Sequence, residues 1–175
     1  TEQNTVDLRV VIAGAVRAAQ SALERAGVRV ECELETAPTM PLVRGDELLL
    51  RQVFVNLIQN AAEASDSGTV IRISLGATDA TGSRSMRWKV AVSDQGRGIA
   101  PENRTRIFHP FFTTRETGTG LGLPLARKIT AAHGGTLTLA HSSDAGSTFI
   151  VSLPACPTVS DSSDDVKWDI SQAAT

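Results

Sequence analysis

The stretch from Asp94 to about Gly122 constrains this chain more than any other. It connects a strand-like run, Met86 to Ser93, to a helix-like run, Leu123 to His133, and is punctuated by glycines, with one short helical stretch after Pro101. Connections of that length inside a compact domain are usually functional. The flanking elements therefore read as a scaffold for a site.

The chain has 175 residues, enough for about one domain at roughly 150 residues each. With 41% hydrophobic and 21% charged residues, it can build a core and is not a disordered polymer. Seventeen basic against 19 acidic side chains leave a net charge of -2, so no electrostatic footprint for wrapping a nucleic acid exists. A nucleotide carrying its own counter-ion stays compatible. Cys32 and Cys156 are too few for a disulfide framework and too far apart for metal-site spacing, which suits reduced thiols in a cytoplasmic protein. No apolar run approaches the roughly 20 residues that cross a bilayer. The sequence opens on Thr1 without a signal-peptide pattern and reads as a piece of something longer.

Apolar residues at helical spacing from Val6 to Ala26, with Gly27 as a stop, predict a first helix. Alternation from Val28 to Glu35 predicts a half-buried strand, broken by Pro38 and Pro41. Asp46 is placed to cap a second helix from about Glu47 to Ala64. Strands follow at Thr69 to Leu75 and Met86 to Ser93, then the helix closed by Gly134-Gly135, then strands at Thr136 to His141 and Ser147 to Leu153. The expected architecture is a two-layer α/β sandwich, with a mixed sheet of about five strands covered on one face by three helices. Residues 1–154 form the expected domain. Residues 155–175 turn to Ser, Asp, Thr and Ala and are expected to be a linker or disordered end.

Three segments carry chemistry. On the second helix Leu50, Val53, Phe54, Leu57, Ala61 and Ala64 share one face while Gln52, Asn56, Asn60 and Glu63 share the other. Asn is a mediocre helix former, so two of them one turn apart need a reason. The polar row is either a solvated face or a set of oxygen ligands for a hard cation such as Mg²⁺. The run Asp94-Gln95-Gly96-Arg97-Gly98-Ile99 ends a strand in an acid and two glycines, which is either a plain turn or a ligand approach. A carboxylate there can accept the exocyclic amine of adenine and would reject the carbonyl of guanine. Gly118-Thr119-Gly120-Leu121-Gly122-Leu123 runs directly into a helix, whose exposed amides suit phosphate. It is neither a Walker loop nor a dinucleotide fingerprint. Upstream, Phe108-His109-Pro110-Phe111-Phe112-Thr113-Thr114-Arg115 holds three of the five phenylalanines and ends in a cation. Such a loop invites aggregation unless it closes over something.

In this order and spacing the segments resemble one family. Asn56-x3-Asn60-Ala61 looks like an N box, Asp94 to Gly98 a G1 box, Phe108 to Arg115 an F box, and Gly118 to Leu123 a G2 box. Gly146-Ser147-Thr148-Phe149 is similar to the last glycine motif. The set resembles the catalytic and ATP-binding domain of bacterial sensor histidine kinases, in the GHKL ATPase superfamily, over about residues 5 to 154. The resemblance implies a Bergerat fold with ATP under a lid from about Ala100 to Gly120. It implies that Asn60 ligates Mg²⁺, Asn56 supports it, Asp94 holds the adenine amine with Thr148 sharing a water, and Gly96, Gly98 and Ile99 lie at the base. Phe112, Thr113 and Arg115 would act from the lid, and Gly118, Thr119, Gly120, Leu121 and Gly122 at the phosphates. Asn56, Asn60 and Arg115 are the expected catalytic set. Glu63 departs from the basic residue many relatives carry there, which shifts weight onto Arg115. Gln95 replaces a commoner Asn, with little expected effect.

ATP-hydrolysing relatives carry a general-base Glu where this chain has Asn56. An amide cannot take the proton, and losing a positioned base costs roughly 10² to 10⁴ in rate. The resemblance therefore implies a protein-histidine kinase whose accepting histidine lies on a dimerisation helix outside the chain, with a response regulator as partner. His109, His133 and His141 sit in no phosphoacceptor setting. A GHKL ATPase, or a degenerate nucleotide-binding module, is the alternative. The isolated domain is expected to be a cytoplasmic monomer without membrane contact, whether or not the parent protein is membrane-anchored. The lid phrase looks most like that of nitrogen-regulation or dicarboxylate-sensing kinases.

Overall fold

The computed structural model describes residues 4–34, 39–79, 86–115 and 118–156. Most of the 155–175 segment expected to be a linker therefore lies outside the described residues. In chain order the elements are β1 (Asn4–Asp7), α1 (Leu8–Ala18), α2 (Gln20–Ala26), β2 (Arg29–Glu33), β3 (Leu42–Gly45), α3 (Glu47–Ala64), β4 (Val70–Asp79), β5 (Met86–Ser93), α4 (Gly122–Ala132), β6 (Thr136–Ser143) and β7 (Gly146–Pro154). Two 3₁₀ turns, Pro101–Asn103 and Arg106–Phe108, interrupt the long connection.

Five strands form one sheet in the order β2-β4-β5-β7-β6, with β2 parallel to β4 and the other neighbours antiparallel. Its inner face carries Ile71, Ile73 and Leu75 of β4, Trp88, Val90 and Val92 of β5, and Val151 and Leu153 of β7, all buried. Facing them, α1 contributes Leu8, Val11 and Ile12, and α3 contributes Leu50, Val53, Phe54, Leu57 and Ile58. Each such side chain contributes about 1.5–3 kcal/mol on burial. The expected two-layer mixed sandwich is the observed one.

The first helix differs from expectation. Val6 leaves it to pair with Val43 in a small antiparallel sheet of β1 and β3. Asp7 then caps α1, its carboxylate accepting the Arg9 amide at 2.9 Å. The helix breaks at Ala19, buried and with ψ 0°, before α2 closes on left-handed Gly27.

α3 lies between α1 and α4. Asp46 Oδ1 accepts the amides of Leu48 at 2.8 Å and Leu49 at 3.0 Å, satisfying two donors that a helix start leaves open. α3 and α4 are tied at both ends. Near the start of α4, Asn56 Nδ2 donates to the Gly122 carbonyl at 3.1 Å. At its other end, the Asp46 amide donates to His133 Nε2 at 3.1 Å, and His133 Nδ1 bonds the Ile129 carbonyl at 2.8 Å. His133 thus spends both ring nitrogens on holding the helices together.

Candidate nucleotide-binding site

The polar face of α3 is only partly solvated: Gln52 and Glu63 are exposed, while Asn56 is buried and Asn60 half-buried. Asn56 is only 8% exposed and has both side-chain atoms committed: Oδ1 accepts from Gln52 Nε2 at 3.0 Å, and Nδ2 reaches Gly122. Asn60, one turn on, meets the lid instead. Arg115 Nη1 donates to Asn60 Oδ1 at 3.2 Å, Nη2 donates to the Asn60 carbonyl at 3.0 Å, and the same guanidinium pairs with Glu63.

At the end of β5, Asp94 is 9% exposed. Its Oδ1 accepts the Gly96 amide at 2.9 Å and the Ser147 amide at 3.1 Å, leaving Oδ2 without a protein donor among the described residues. Burial pushes its pKa above the ordinary carboxylate value, while those two amides and the charge of Arg115 pull the other way. Gln95 reaches back to accept the Val70 amide at 3.1 Å, so the longer side chain anchors this turn to β4.

The two glycines after Asp94 are required by the protein's own packing. A Cβ on Gly96 would lie 2.2 Å from the Ala64 carbonyl oxygen, and one on Gly98, at φ +68°, would lie 1.7 Å from that of Ser143. Gly122 is different. There a Cβ would sit 3.8 Å from both Asn56 and Asn60, in ordinary contact and without backbone strain. No side chain caps α4, so the amides of Gly122 and Leu123 at its start, with Gly122 beside the α3 asparagines, have no side-chain acceptor.

The lid separates its aromatic residues. Phe108 packs edge-on to Phe149 at 6.3 Å, and Phe112 lies under Arg106 at 4.4 Å. Phe111 is 76% exposed at φ 66°, and its amide donates to the Gly120 carbonyl at 3.0 Å.

These pieces enclose a cavity of 780 Å³, within the roughly 300–1,000 Å³ usual for small-molecule sites. Its wall includes Asn56, Asn60, Asp94, Gly98, Ile99, Phe112, Thr113, Arg115, Gly118, Thr119, Gly120, Leu121 and Gly122. Gly96 and Thr148, also expected at the site, stand outside that wall; Thr148 bonds Ser93 hydroxyl to hydroxyl at 2.9 Å. Ile107 lines the cavity, as do Ser147 and Phe149 of the last glycine motif, none of them assigned a role at the site from the sequence. The apolar Ile107-Phe108 step inside the lid was the available signal for the first. Nothing in residue type distinguishes Ser147, which acts through its backbone.

The residues present fit Mg²⁺-ATP. Asp94 offers a buried acceptor at one place in the wall, and Asn60 offers an amide oxygen beside the uncapped start of α4 at another. Mg²⁺ commonly takes one or two protein oxygens and completes its shell with phosphate and water. Among the described residues no cluster of three His, Cys, Asp or Glu side chains offers a fuller cage.

Residues 45–157 match the family described as histidine kinase-, DNA gyrase B-, and HSP90-like ATPase. Sporulation kinase C of Bacillus subtilis is 41% identical over 113 residues, covering 65% of this chain and 25% of that protein. The chain spans about a quarter of the length of the curated relatives it matches first. The catalytic domain of histidine kinase ThkA superposes with TM-score 0.73 at 29% identity, over 89% of this chain and 97% of that one. Full-length ShkA, solved in complex with AMPPNP, superposes with TM-score 0.72 at 27% identity, over 89% of this chain and 32% of that one. With its family profile matched over more than half its length and its fold shared with these catalytic domains, the chain belongs to the histidine kinase-, DNA gyrase B- and HSP90-like ATPase family.

Proposed function

We propose that the chain binds Mg²⁺-ATP in this cavity and serves a protein-histidine kinase, passing the γ-phosphoryl group to a histidine on dimerisation helices of the same parent protein. The observation that carries this reading is the pairing of Asp94, buried with one oxygen unclaimed, with the asparagine row of α3 facing the start of α4. Oδ2 of Asp94 accepts the adenine amine and excludes the guanine carbonyl. The amides of Gly122 and Leu123 at the start of α4 offer donors to phosphate oxygens, and Gly118, Thr119, Gly120 and Leu121 bring the loop backbone beside them, with the Gly118 and Leu121 amides held by the Arg115 carbonyl and Thr119 Oγ1. Asn60 Oδ1 ligates the metal, and bound Mg²⁺ neutralises phosphate charge. Asn56, locked between Gln52 and Gly122, holds α3 and α4 at the separation this requires. Arg115 brings a cation from the lid, Phe112 and Thr113 shape the lid edge, and Gly96, Ile99 and Thr148 support the base pocket, Gly96 and Thr148 from behind its wall. ShkA in complex with AMPPNP supports the choice of ATP.

Phosphoryl transfer of this kind rests on positioning and charge neutralisation, because a histidine nucleophile brings its own reactivity. Water is a poor acceptor here, since Asn56 occupies the base position of the hydrolysing relatives and both its polar atoms are spent. We assign residues 1–154 to this domain, with cytoplasmic placement, a response regulator downstream and a monomeric isolated chain. No helix among the described residues is long and apolar enough to cross a membrane. Titration of fluorescent ATP and GTP analogues, with and without Mg²⁺, tests the reading. ATP preference with a Mg²⁺ requirement lost in Asn60→Ala supports it, and equal affinity for GTP or no nucleotide binding refutes it.

A further inference from the structure

Glu63 breaks a local rule. A carboxylate in the last turn of a helix opposes the negative end of the macrodipole, and α3 has no basic residue in that turn to offset it. Residues set against local preference are most often found at functional sites. The counter-charge comes from the lid, where Arg115 pairs with Glu63 and holds both oxygens of Asn60. The lid backbone is shaped to present it. Thr113 Oγ1 accepts the Arg115 amide at 3.0 Å, the Gly118 amide donates to the Arg115 carbonyl at 3.3 Å, and a Cβ on Gly118 would lie 2.4 Å from Thr113 Oγ1.

We propose that Glu63 is a positioning residue for Arg115: it holds the lid guanidinium on the side-chain oxygen of Asn60 and so sets how readily that oxygen is released to a metal-nucleotide. The inference rests on the reading of Asn60 as the metal ligand. Glu63 stands in the cavity wall beside Asn60. It acts through Arg115, which leaves Asn60 Oδ1 for the phosphates as Mg²⁺ arrives.

The test is a double-mutant cycle of Glu63→Gln, Arg115→Ala and the pair in the given chain, with circular dichroism to confirm the fold. Two quantities are read: hydrogen exchange at the Phe111 and Gly118 amides without nucleotide, and half-saturating Mg²⁺-ATP. Each single variant is expected to speed lid exchange about threefold to thirtyfold, as loss of one partly exposed, charge-assisted contact allows, with the pair no faster than the singles. Glu63→Gln is expected to tighten Mg²⁺-ATP binding about threefold to tenfold by freeing the guanidinium and Asn60, and to have no effect in the Arg115→Ala background. Exchange effects that multiply, or an affinity shift that persists without Arg115, overturn the proposal, because the carboxylate then acts on its own. Absence of nucleotide binding by the unsubstituted chain counts against the function, while the exchange cycle still decides the positioning.

Discussion

Replacing Asp94 by asparagine separates the fold from its ligand. The substituted side chain keeps a carbonyl oxygen where Oδ1 now accepts the Gly96 and Ser147 amides at 2.9 and 3.1 Å, so the turn retains its anchor. At the other position an amide nitrogen replaces Oδ2 and turns a donor toward the donor of adenine. The lost hydrogen bond to a charged acceptor is worth about 1.5–3 kcal/mol, and the buried donor left unpaired adds about 1–3 kcal/mol. Together they weaken ATP binding by roughly 10² to 10⁴. Stability moves the other way. Burial raises the folded-state pKa of Asp94 above its unfolded value, so the folded form holds a proton that the unfolded form has already released. The carboxylate therefore opposes folding above its folded pKa, and this opposition fades as pH falls through that value toward the ordinary carboxylate range. Asp94→Asn should accordingly be at least as stable as the parent at pH 7, with the advantage shrinking on acidification. Calorimetric titration with Mg²⁺-ATP and urea denaturation at pH 7 and pH 4 check both halves. Binding within threefold of the parent would show that Asp94 is not the adenine acceptor, and a large loss of stability at pH 7 would show that its charge does not oppose folding.

Gly122→Ala should fold normally, since its Cβ meets Asn56 and Asn60 only at 3.8 Å, yet lose at least about tenfold in Mg²⁺-ATP affinity by intruding where the phosphates are placed. Gly98→Ala is the opposite case. Its positive φ and a Cβ 1.7 Å from the Ser143 carbonyl predict about 2–4 kcal/mol of destabilisation in urea, whatever the ligand. Asn56→Ala leaves the half-buried Gly122 carbonyl without its donor, so thermal denaturation should show about 1–3 kcal/mol lost and nucleotide binding impaired along with it. ATP affinity of the unsubstituted chain should fall on acidification from a pH above the ordinary aspartate value, because the raised pKa of Asp94 protonates the acceptor early; an affinity flat from pH 7 to pH 4 contradicts its role.

Much of this was legible in the residues because the signals are local. Asp46 announced the start of α3 through its cap, and alternating Trp88, Val90 and Val92 announced β5. The motifs at Asn56, Asp94 and Gly118 to Leu123 announced a nucleotide site because each couples an unusual residue type to an element end. What escaped depends on partners distant in the chain. Val6 fits a helical period equally well and is claimed for β1 only by Val43. Ala19, an excellent helix former, carries no mark of the break it makes. The glycines at 96 and 98 read as room for a ligand, whereas Ala64 and Ser143 fill the space beside them. Glu63 read as a departure from a family pattern, and only the lid's return across α3 places Arg115 against it.

The central claim is that this chain holds Mg²⁺-ATP for a histidine and not for water. It is tested most directly by incubating the chain with Mg²⁺ and γ-labelled ATP and recording nucleotide bound and phosphate released in the same tube. Saturable binding that prefers ATP over GTP is expected, with release no faster than about one turnover in many minutes, far below the median of roughly 10 s⁻¹ for enzymes. Steady hydrolysis at about 1 s⁻¹ or faster would show that some group other than Asn56 activates water, and would contradict the central claim.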